Sequence, residues 1–517
     1  MSPGLGGRVE TANPIFDRII DVAGMRSLET QTPSGTNLMQ NAGAAISSHL
    51  LQGEFVRISD LSICLVGPGR NGGDALITAQ QLAQAGANVT AWGSRERLND
   101  PLIDAAIKSG VHWKIWRGDR TPLLADISQA TCVIDGLLGI GSTPPLRGEI
   151  KEVLQALPLL KNQSRIAIDI PTGIDADTGA ADTSTFRADL TLATGPAKIG
   201  SLLHPAIEFC GEVRALSIGL DSSVYEPITK ALIDRATVRD LVPTRSPGGH
   251  KGSFGRLAIV GGSSRYLGAT ALAALAAIRT GVGLVTLASS EPAITTAAAL
   301  APSTTFLPLS TTSTGHIAAS LDDLAELLQS STSLLIGPGL GRSAQTDALV
   351  HDIIRTCPNM PTVVDADALN AIADDQDLYE SLGSQTILTP HPGELQRLAN
   401  LGAIPEGRSR LQVSKELASR TNVTVVAKGS PTLVVTKRFT WILARPNPVL
   451  AIAGSGDVLA GSIAGLLAQG IPPADAARLG VWLHSDAASI AAGELDRGVP
   501  TEHIAEAIGQ AFQKVRA

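Results

Sequence analysis

The sequence predicts an α/β protein of two domains in series, and three observations carry that reading. Its 517 residues exceed one hydrophobic core, since about 150 residues per domain implies two to four units. Short apolar runs rich in Val, Ile and Leu recur with helical segments between them, the pattern of buried parallel strands joined by crossovers. Hydrophobic residues make up 44% of the chain, enough to bury a large core and to exclude a wholly disordered protein. Lys+Arg 41 against Asp+Glu 48 leaves a formal net charge of −7, which argues against binding nucleic acid by neutralising phosphates. Cys64, Cys132, Cys210 and Cys357 form no close pair in sequence. Neither a disulfide framework nor a Cys-rich zinc site is expected, and a reducing cytoplasm fits.

In order along the chain, MSPGLGGRVETANPIFDR lacks a continuous apolar segment and is read as carrying no signal peptide. LSICLVG ends at Gly67, and a helical segment is expected over 74–85, closed by Gly86. Strand-like runs NVTAW, CVIDGLLG, RIAIDIPTG, ADLTLATG and VRALSIGL follow, the last ending at Leu220. Residues 221–252 carry little periodicity, which places the domains at 1–225 and 226–517. A second series begins with RLAIVGG. The most apolar stretch, 269–288, is broken by Arg279, Gly281 and Gly283 and reads as a buried helix and strand rather than a membrane span. SLLIGPGLG, TVVDADALN, TILTPHPGE, VTVVAKG, TLVVTK and WILA continue the series, and helices are expected over 457–469, 473–492 and 502–515. The Leu, Ile and Ala stripes of these helices read as core.

In the first half, GPGRNGGDA at 67–75 joins a strand to a helix start. Its glycines allow close backbone approach to a ligand, and helix-start N–H groups favour phosphate. A plain structural turn explains the glycines equally well, and Asp74 also reads as a helix N-cap. Asp135 after CVI and Asp169 after IAI fall at strand C-termini, where ligand loops of an α/β sheet lie. Asp, Asn and Thr oxygens there suit a hard cation, potassium or magnesium, or serve only to cap turns.

GPGRNGGDA, VIDGLLGIG and AIDIPTGIDADTG, with MRSLE and LMQNAG upstream, resemble the N-terminal epimerase domain of the bifunctional NAD(P)H-hydrate repair enzymes over most of residues 20–220. The resemblance implies a Rossmann-like three-layer domain that epimerises the C6 hydroxyl of hydrated NADH and NADPH. It implies a hydrate site lined by Arg70, Asn71, Gly72, Gly73 and Asp74, by Gly139, Ile140, Gly141, Ser142, Thr143, Pro144 and Pro145, and by a catalytic Asp169. It further implies potassium at Asn71, Asp135 and Thr172, with the positive charge of Lys198 near the site. Arg70 stands where the family usually has Asn, and Thr172 where it has Ser.

In the second half, VLAIA reads as a strand ending in Gly454-Ser455-Gly456-Asp457, with a helix beyond that sets Leu459, Ile463, Leu466 and Leu467 on one face. Glycine N–H groups at a helix N-terminus make an anion hole for a moving phosphoryl group. Asp457 is placed to take a proton from an attacking hydroxyl, or else serves as an N-cap. This segment and VVAKGSPTLVV resemble the ribokinase-like superfamily. HKGSFG, GGSSRYLGA, GPGLG, DADALN and HPGE narrow the resemblance to the NAD(P)H-hydrate dehydratase domain, over roughly residues 228–515. It implies that Ala269, Gly339, His391 and Asp457 contact the hydrate. Lys428, Gly429, Ser430, Pro431, Thr432 and Gly456 then contact an adenine nucleotide, ADP with magnesium, which leaves as AMP and phosphate. Asp365, Asp367 and Asn370 fall at a strand end suited to orienting hydrate or nucleotide.

Kinase machinery makes chemical sense for a dehydration. Hydroxide is a poor leaving group, whereas a phosphate ester at C6 can be expelled by the ring nitrogen lone pair. The dehydratase accepts only the S epimer, and an epimerase on the same chain supplies it from R. The competing reading is a ribokinase-like small-molecule kinase fused to a non-catalytic nucleotide-binding module. A cytoplasmic homo-oligomer acting on small molecules, with no nucleic acid or membrane partner, is expected.

Overall fold

The computed structural model describes residues 17–32, 37–158 and 162–516. The signal-peptide reading therefore lies outside the described residues for positions 1–16. The chain divides into two compact units, Met1–Ala231 and Leu232–Ala517. Among the described residues, no helix is long and apolar enough to cross a membrane.

The first unit is built on seven parallel strands: β1 (Leu61–Val66), β2 (Asn88–Gly93), β3 (His112–Ile115), β4 (Ala130–Gly136), β5 (Ser164–Ile168), β6 (Leu190–Thr194) and β7 (Glu212–Leu216). They lie in the order β3-β2-β1-β4-β5-β6-β7. Side chains alternate across the sheet, so each strand feeds two cores. Cys64, Val66, Ile134 and Ile166 pack with Ile46, Leu50 and Leu76. Ile63, Leu65, Val133 and Ala167 pack with Leu123, Ile127 and Val153 on the other face. This is the expected three-layer arrangement. Strand order reverses between β1 and β4, and ligands of such sheets bind outside the strand C-termini at that switch point.

Three local expectations are corrected. The helix expected over 74–85 runs Arg70–Gln84 and is capped by Gly69, so Asp74 sits in its second turn and is not an N-cap. The helix begins early because Gly72 and Gly73 serve close packing rather than a turn. A Cβ on Gly72 would lie 2.0 Å from the Gly67 carbonyl oxygen, and one on Gly73 would lie 2.6 Å from Met39 Sδ. Strand β3 was not read from HWKI. It is an edge strand with no buried residue, so it lacks the apolar run that marks the others. VLAIA, read as a strand, is instead a 3-10 turn at Pro448–Leu450 followed by an exposed loop. Pro448 has no N–H to give a ladder, and Ala451 to Ala453 have no sheet to cover them.

The second unit contains β8 (Arg256–Val260), β9 (Leu284–Ser289), β10 (Thr305–Pro308), β11 (Ser333–Ile336), β12 (Thr362–Val364), β13 (Thr386–Leu388), β14 (Thr424–Ala427), β15 (Thr432–Val435) and β16 (Thr440–Leu443). Their order is β16-β15-β14-β13-β12-β11-β8-β9-β10. Pairing is parallel from β14 to β10, and the β14–β15–β16 meander is antiparallel. The order reverses between β8 and β11, so a second switch point opens where GG at 261–262 and GPG at 337–339 leave the sheet. Helices Ala269–Arg279 and Ser455–Ala468 start beside it. They pack so closely that a Cβ on Gly461 would lie 2.2 Å from the Ala273 carbonyl oxygen.

Candidate active sites

In the first unit, β4 carries Asp135 into the interior. Thr172 N–H and Oγ1 donate to its two oxygens at 2.7 and 2.8 Å, and Leu137 N–H donates at 3.1 Å. Thr172 Oγ1 also accepts the Leu138 N–H at 2.9 Å, so its hydroxyl is engaged within the protein. Burial pushes Asp135 up to about 6, against those hydrogen bonds. Among the described residues, no Lys, Arg or His pairs with this carboxylate. Buried carboxylates are normally paired or metal-bound, so the oxygen set fits a hard cation.

Asn71 Nδ2 donates to the Ile168 carbonyl at 3.3 Å. A Cβ on Gly139 would lie 3.3 Å from Asn71 Oδ1 and 3.2 Å from Asp169 Oδ2, so these three positions meet. Asp169 follows β5 with φ +69°, the left-handed region where a non-glycine residue is under strain. Its Oδ1 pairs with Lys198 Nζ at 2.5 Å and accepts Thr194 Oγ1 at 2.7 Å. Lys198 is fully buried, donates to the Thr194 carbonyl at 2.8 Å, and is held by parallel pairing with Ile20. Burial first, then the Asp169 carboxylate, push Asp74 up to about 8, with Lys198 opposing.

The expected loop is partly drawn in. Ser142 is buried and its N–H closes a turn on the Gly139 carbonyl, while Gly141, Thr143 and Pro145 are exposed and Ile140 and Pro144 half-buried. Arg70 has an 80% exposed side chain that pairs with Glu29 at 2.5 Å, so it stands at the rim without crowding the interior.

In the second unit, Asp457 lies in the first turn of Ser455–Ala468, whose N-cap Gly454 has φ +86°. It is half-buried, and no side-chain hydrogen bond or ion pair holds its carboxylate among the described residues. It is not the N-cap. Burial and the Asp365 carboxylate raise it to about 7, with Lys428 pulling the other way. Lys428 Nζ donates to Asp365 Oδ1 at 2.8 Å and would lie 3.3 Å from a Cβ on Gly456, so Lys428, Gly456 and Asp457 converge. Burial alone would lower the Lys428 ammonium, but Asp365, Glu394 and Asp457 outweigh it and hold it above its ordinary value. Buried Asp365 also accepts Thr389 Oγ1 at 2.8 Å.

His391 caps helix Pro392–Leu401: its Nδ1 accepts the Gly393 N–H at 3.0 Å, and its own N–H donates to Glu394 Oε2 at 2.8 Å. Its ring is half exposed, and burial, Lys428 and Arg397 lower its pKa. The structural reading of this histidine, a helix cap, is therefore seen directly. Gly339, at φ +62°, meets Ala269, as a Cβ there would lie 3.0 Å from Ala269 Cβ. Asp367 Oδ2 accepts the Gly341 N–H at 2.8 Å, whereas Asn370 Oδ1 is taken by Arg397 at 2.6 Å.

The turn Lys428, Gly429, Ser430, Pro431, Thr432 is fastened by a residue that sequence reasoning missed. Arg410 donates to the Lys428 carbonyl at 2.9 Å and to the Pro431 carbonyl at 2.8 Å. Nothing local marks it, because the contact joins residues 18 apart. Thr194 was also missed, although its place at the end of LATG, like that of Asp135 and Asp169 in their strands, was a signal. His484 is buried behind the anion hole, hydrogen-bonds with Ser455 at 3.2 Å, and is lowered by burial to about 4.

Comparison with known proteins matches both halves. Residues 35–200 fit the family described as YjeF-related protein N-terminus, and residues 257–510 fit the NAD(P)H-hydrate dehydratase family. The bifunctional NAD(P)H-hydrate repair enzyme of Thermofilum pendens is 33% identical over 468 residues, covering 88% of each chain. That of Moorella thermoacetica is 34% identical over 472 residues, again covering 88% of each. Among solved structures, a ribokinase-like superfamily protein from Enterococcus faecalis aligns with TM-score 0.49 at 23% identity, over 56% of this chain and 98% of that one. With both family matches in series and relatives similar along most of their length, the chain belongs to the bifunctional NAD(P)H-hydrate repair enzymes.

Proposed function

We propose that the first unit interconverts the R and S C6-hydroxy forms of hydrated NADH and NADPH, and that the second dehydrates the S form with ADP, releasing AMP and phosphate. The observation that carries the reading is Asp457: a carboxylate with no partner among the described residues, set at a glycine-opened helix N-terminus beside Lys428. Near pH 7 such a group can take the proton of the C6 hydroxyl as that oxygen attacks the terminal phosphoryl of ADP. The N–H groups of the 455–457 turn and the Lys428 ammonium hold the moving negative charge. The ring nitrogen lone pair then expels phosphate, and loss of a C5 proton from the resulting iminium, to the departing phosphate or to water, restores the dihydropyridine. Arg410 keeps the 428–432 turn in shape for the nucleotide. Magnesium arriving with the nucleotide would shield diphosphate charge, and the hard oxygens of Asp365 and Asp367 beside Asp457 suit it.

In the first unit, Asp169 is the carboxylate we assign to the epimerising step, oriented by Lys198 and Thr194. Potassium fits Asp135 and the Asn71 amide oxygen, where it would supply the positive charge that the buried carboxylate lacks. The Thr172 hydroxyl supports Asp135 rather than offering a free ligand. The setting we expect is a cytoplasmic homo-oligomer.

The test offers S-hydrated NADH with ADP or with ATP and follows recovery of reduced-nicotinamide absorbance. ADP-dependent recovery is expected. No recovery, together with ATP-driven phosphorylation of a hydroxymethyl substrate, would replace this reading with a small-molecule kinase.

A further inference from the structure

Water-exposed large apolar side chains are few in this protein, and their positions are uneven. Among the described residues seven stand out, and three of them, Tyr266 (46% exposed), Leu267 (37%) and Ile452 (40%), lie in two loops. One loop, 263–268, leads into helix Ala269–Arg279, and the other, 451–454, leads into helix Ser455–Ala468. The helix starts adjoin, since a Cβ on Gly454 would lie 2.5 Å from Leu272 Cδ1. The three side chains therefore lie on the loops before two adjoining helix starts, the second of which carries Asp457 in its first turn. Tyr266 is also unlike the chain's two other tyrosines, Tyr225 and Tyr379, which are buried. Its backbone is fixed from two sides: its N–H donates to the Ser263 carbonyl at 3.3 Å, and Ser263 Oγ donates to the Gly339 carbonyl at 3.0 Å. Tyr266 Cβ lies 3.0 Å from where Gly339 would carry its own Cβ, which sets the residue against Gly339, itself packed on Ala269. The Arg265 guanidinium stands 5.6 Å from the ring centroid and adds a cation beside the ring.

We propose that Tyr266 is the stacking platform for the planar vinylogous amide of the hydrated nicotinamide ring, with Ile452 closing on the ring's edge, and that this contact sets the C6 hydroxyl against Asp457. The inference rests on the dehydratase reading above. A flat conjugated group is the occupant that an exposed aromatic face rewards, and such stacking is worth about 1–3 kcal/mol by alanine substitution. The adenine nucleotide is the weaker occupant here, because the turn expected to hold it is Lys428–Thr432, whereas Tyr266 packs against Gly339 beside Ala269.

The full-length chain carries its own control, since its epimerase activity reports folding of the preparation. Tyr266→Ala is expected to raise the KM for S-hydrated NADH about tenfold, the equivalent of 1.4 kcal/mol, while the KM for ADP and the epimerisation rate stay unchanged. Tyr266→Phe, which keeps the ring and loses the hydroxyl, is expected to restore the wild-type KM. An unchanged hydrate KM in the alanine variant, a rise in the ADP KM instead, or equal damage from the phenylalanine variant would each overturn the platform while leaving the dehydratase reading in place. Wild-type protein that fails to return NADH from the S hydrate would overturn that reading, and the platform with it.

Discussion

The Asp457 carboxyl is half-buried with no hydrogen-bond or ion-pair partner among the described residues, and its protonation ties stability to pH. Burial and Asp365 raise it to about 7, whereas an unfolded aspartate ionises near ~3.9. The folded protein thus holds this proton more tightly than the unfolded chain. Its stabilising effect is full below about pH 4 and is lost as pH rises through about 7. Asp457→Asn never ionises, so calorimetry is expected to show a higher Tm than wild type at pH 8 and no such gain at pH 4. The same variant is expected to lose dehydration by about 10²–10⁴-fold, the usual contribution of a general base, and to keep epimerisation. In wild type, dehydration is expected to rise with pH through about 7 as the base form appears, and a flat profile from pH 5.5 to 8.5 would remove Asp457 from that role. Asp169 is the counterpart in the first unit. Asp169→Ala is expected to stop the interconversion of R and S hydrates, followed by chiral separation, while nucleotide-dependent recovery from the pure S form continues. Loss of both activities in a folded protein from either change would break the division of labour.

Helix Ser455–Ala468 shows how an element can be specified by what its residues lack. Gly461 and Gly465 face Ala273, Ala277 and Thr280 of helix Ala269–Arg279, and any side chain there meets backbone at less than van der Waals distance. Gly461→Ala is expected to destabilise the second unit by about 1–3 kcal/mol as the helices are forced apart, although alanine has the better intrinsic helix propensity. Denaturant unfolding measures this, and a more stable variant would show that the close approach is not needed. The same pair explains what the sequence could and could not disclose about elements. Helix Pro473–Ala492 fell where its pattern put it, because a long Ala- and Leu-rich stretch bounded by Pro and Gly, buried on all faces over 479–488, has one solution. The helix at Arg70 began four residues before its expected start, since Gly72 and Gly73 look like turn residues until the Gly67 carbonyl and Met39 are seen against them. VLAIA looked like a strand because apolar runs are read by composition. Ile452 is exposed in the loop before helix Ser455–Ala468, so its hydrophobicity marks no sheet.

Over the whole molecule, chemistry-bearing residues gather at the C-terminal ends of parallel strands, and the sequence disclosed them because each stands at a strand end: Asp135 in β4, Asp169 after β5, Asp365 after β12 and Lys428 after β14. What it withheld were Thr194, fastened to Asp169, and Arg410, fastened to the Lys428 turn, since those contacts exist only once the strands are ordered; Lys198 was expected near the first site, and only its pairing with Asp169 is new. The two sites also differ in charge supply. In the second unit Lys428 lies among Asp365, Glu394 and Asp457, whereas buried Asp135 in the first unit has hydrogen bonds but no cationic side chain beside it among the described residues. A monovalent cation should therefore matter to one activity more than to the other. Replacing potassium by tetramethylammonium, too large for the cation site proposed at Asp135, is expected to slow epimerisation while leaving the KM for the S hydrate in the dehydration assay unchanged. Asp135→Asn, which removes the uncompensated charge, is expected to make the remaining epimerisation indifferent to potassium. If wild-type epimerisation runs equally fast in both salts, the buried carboxylate is satisfied by Thr172 and Leu137 alone, and the cation leaves the mechanism.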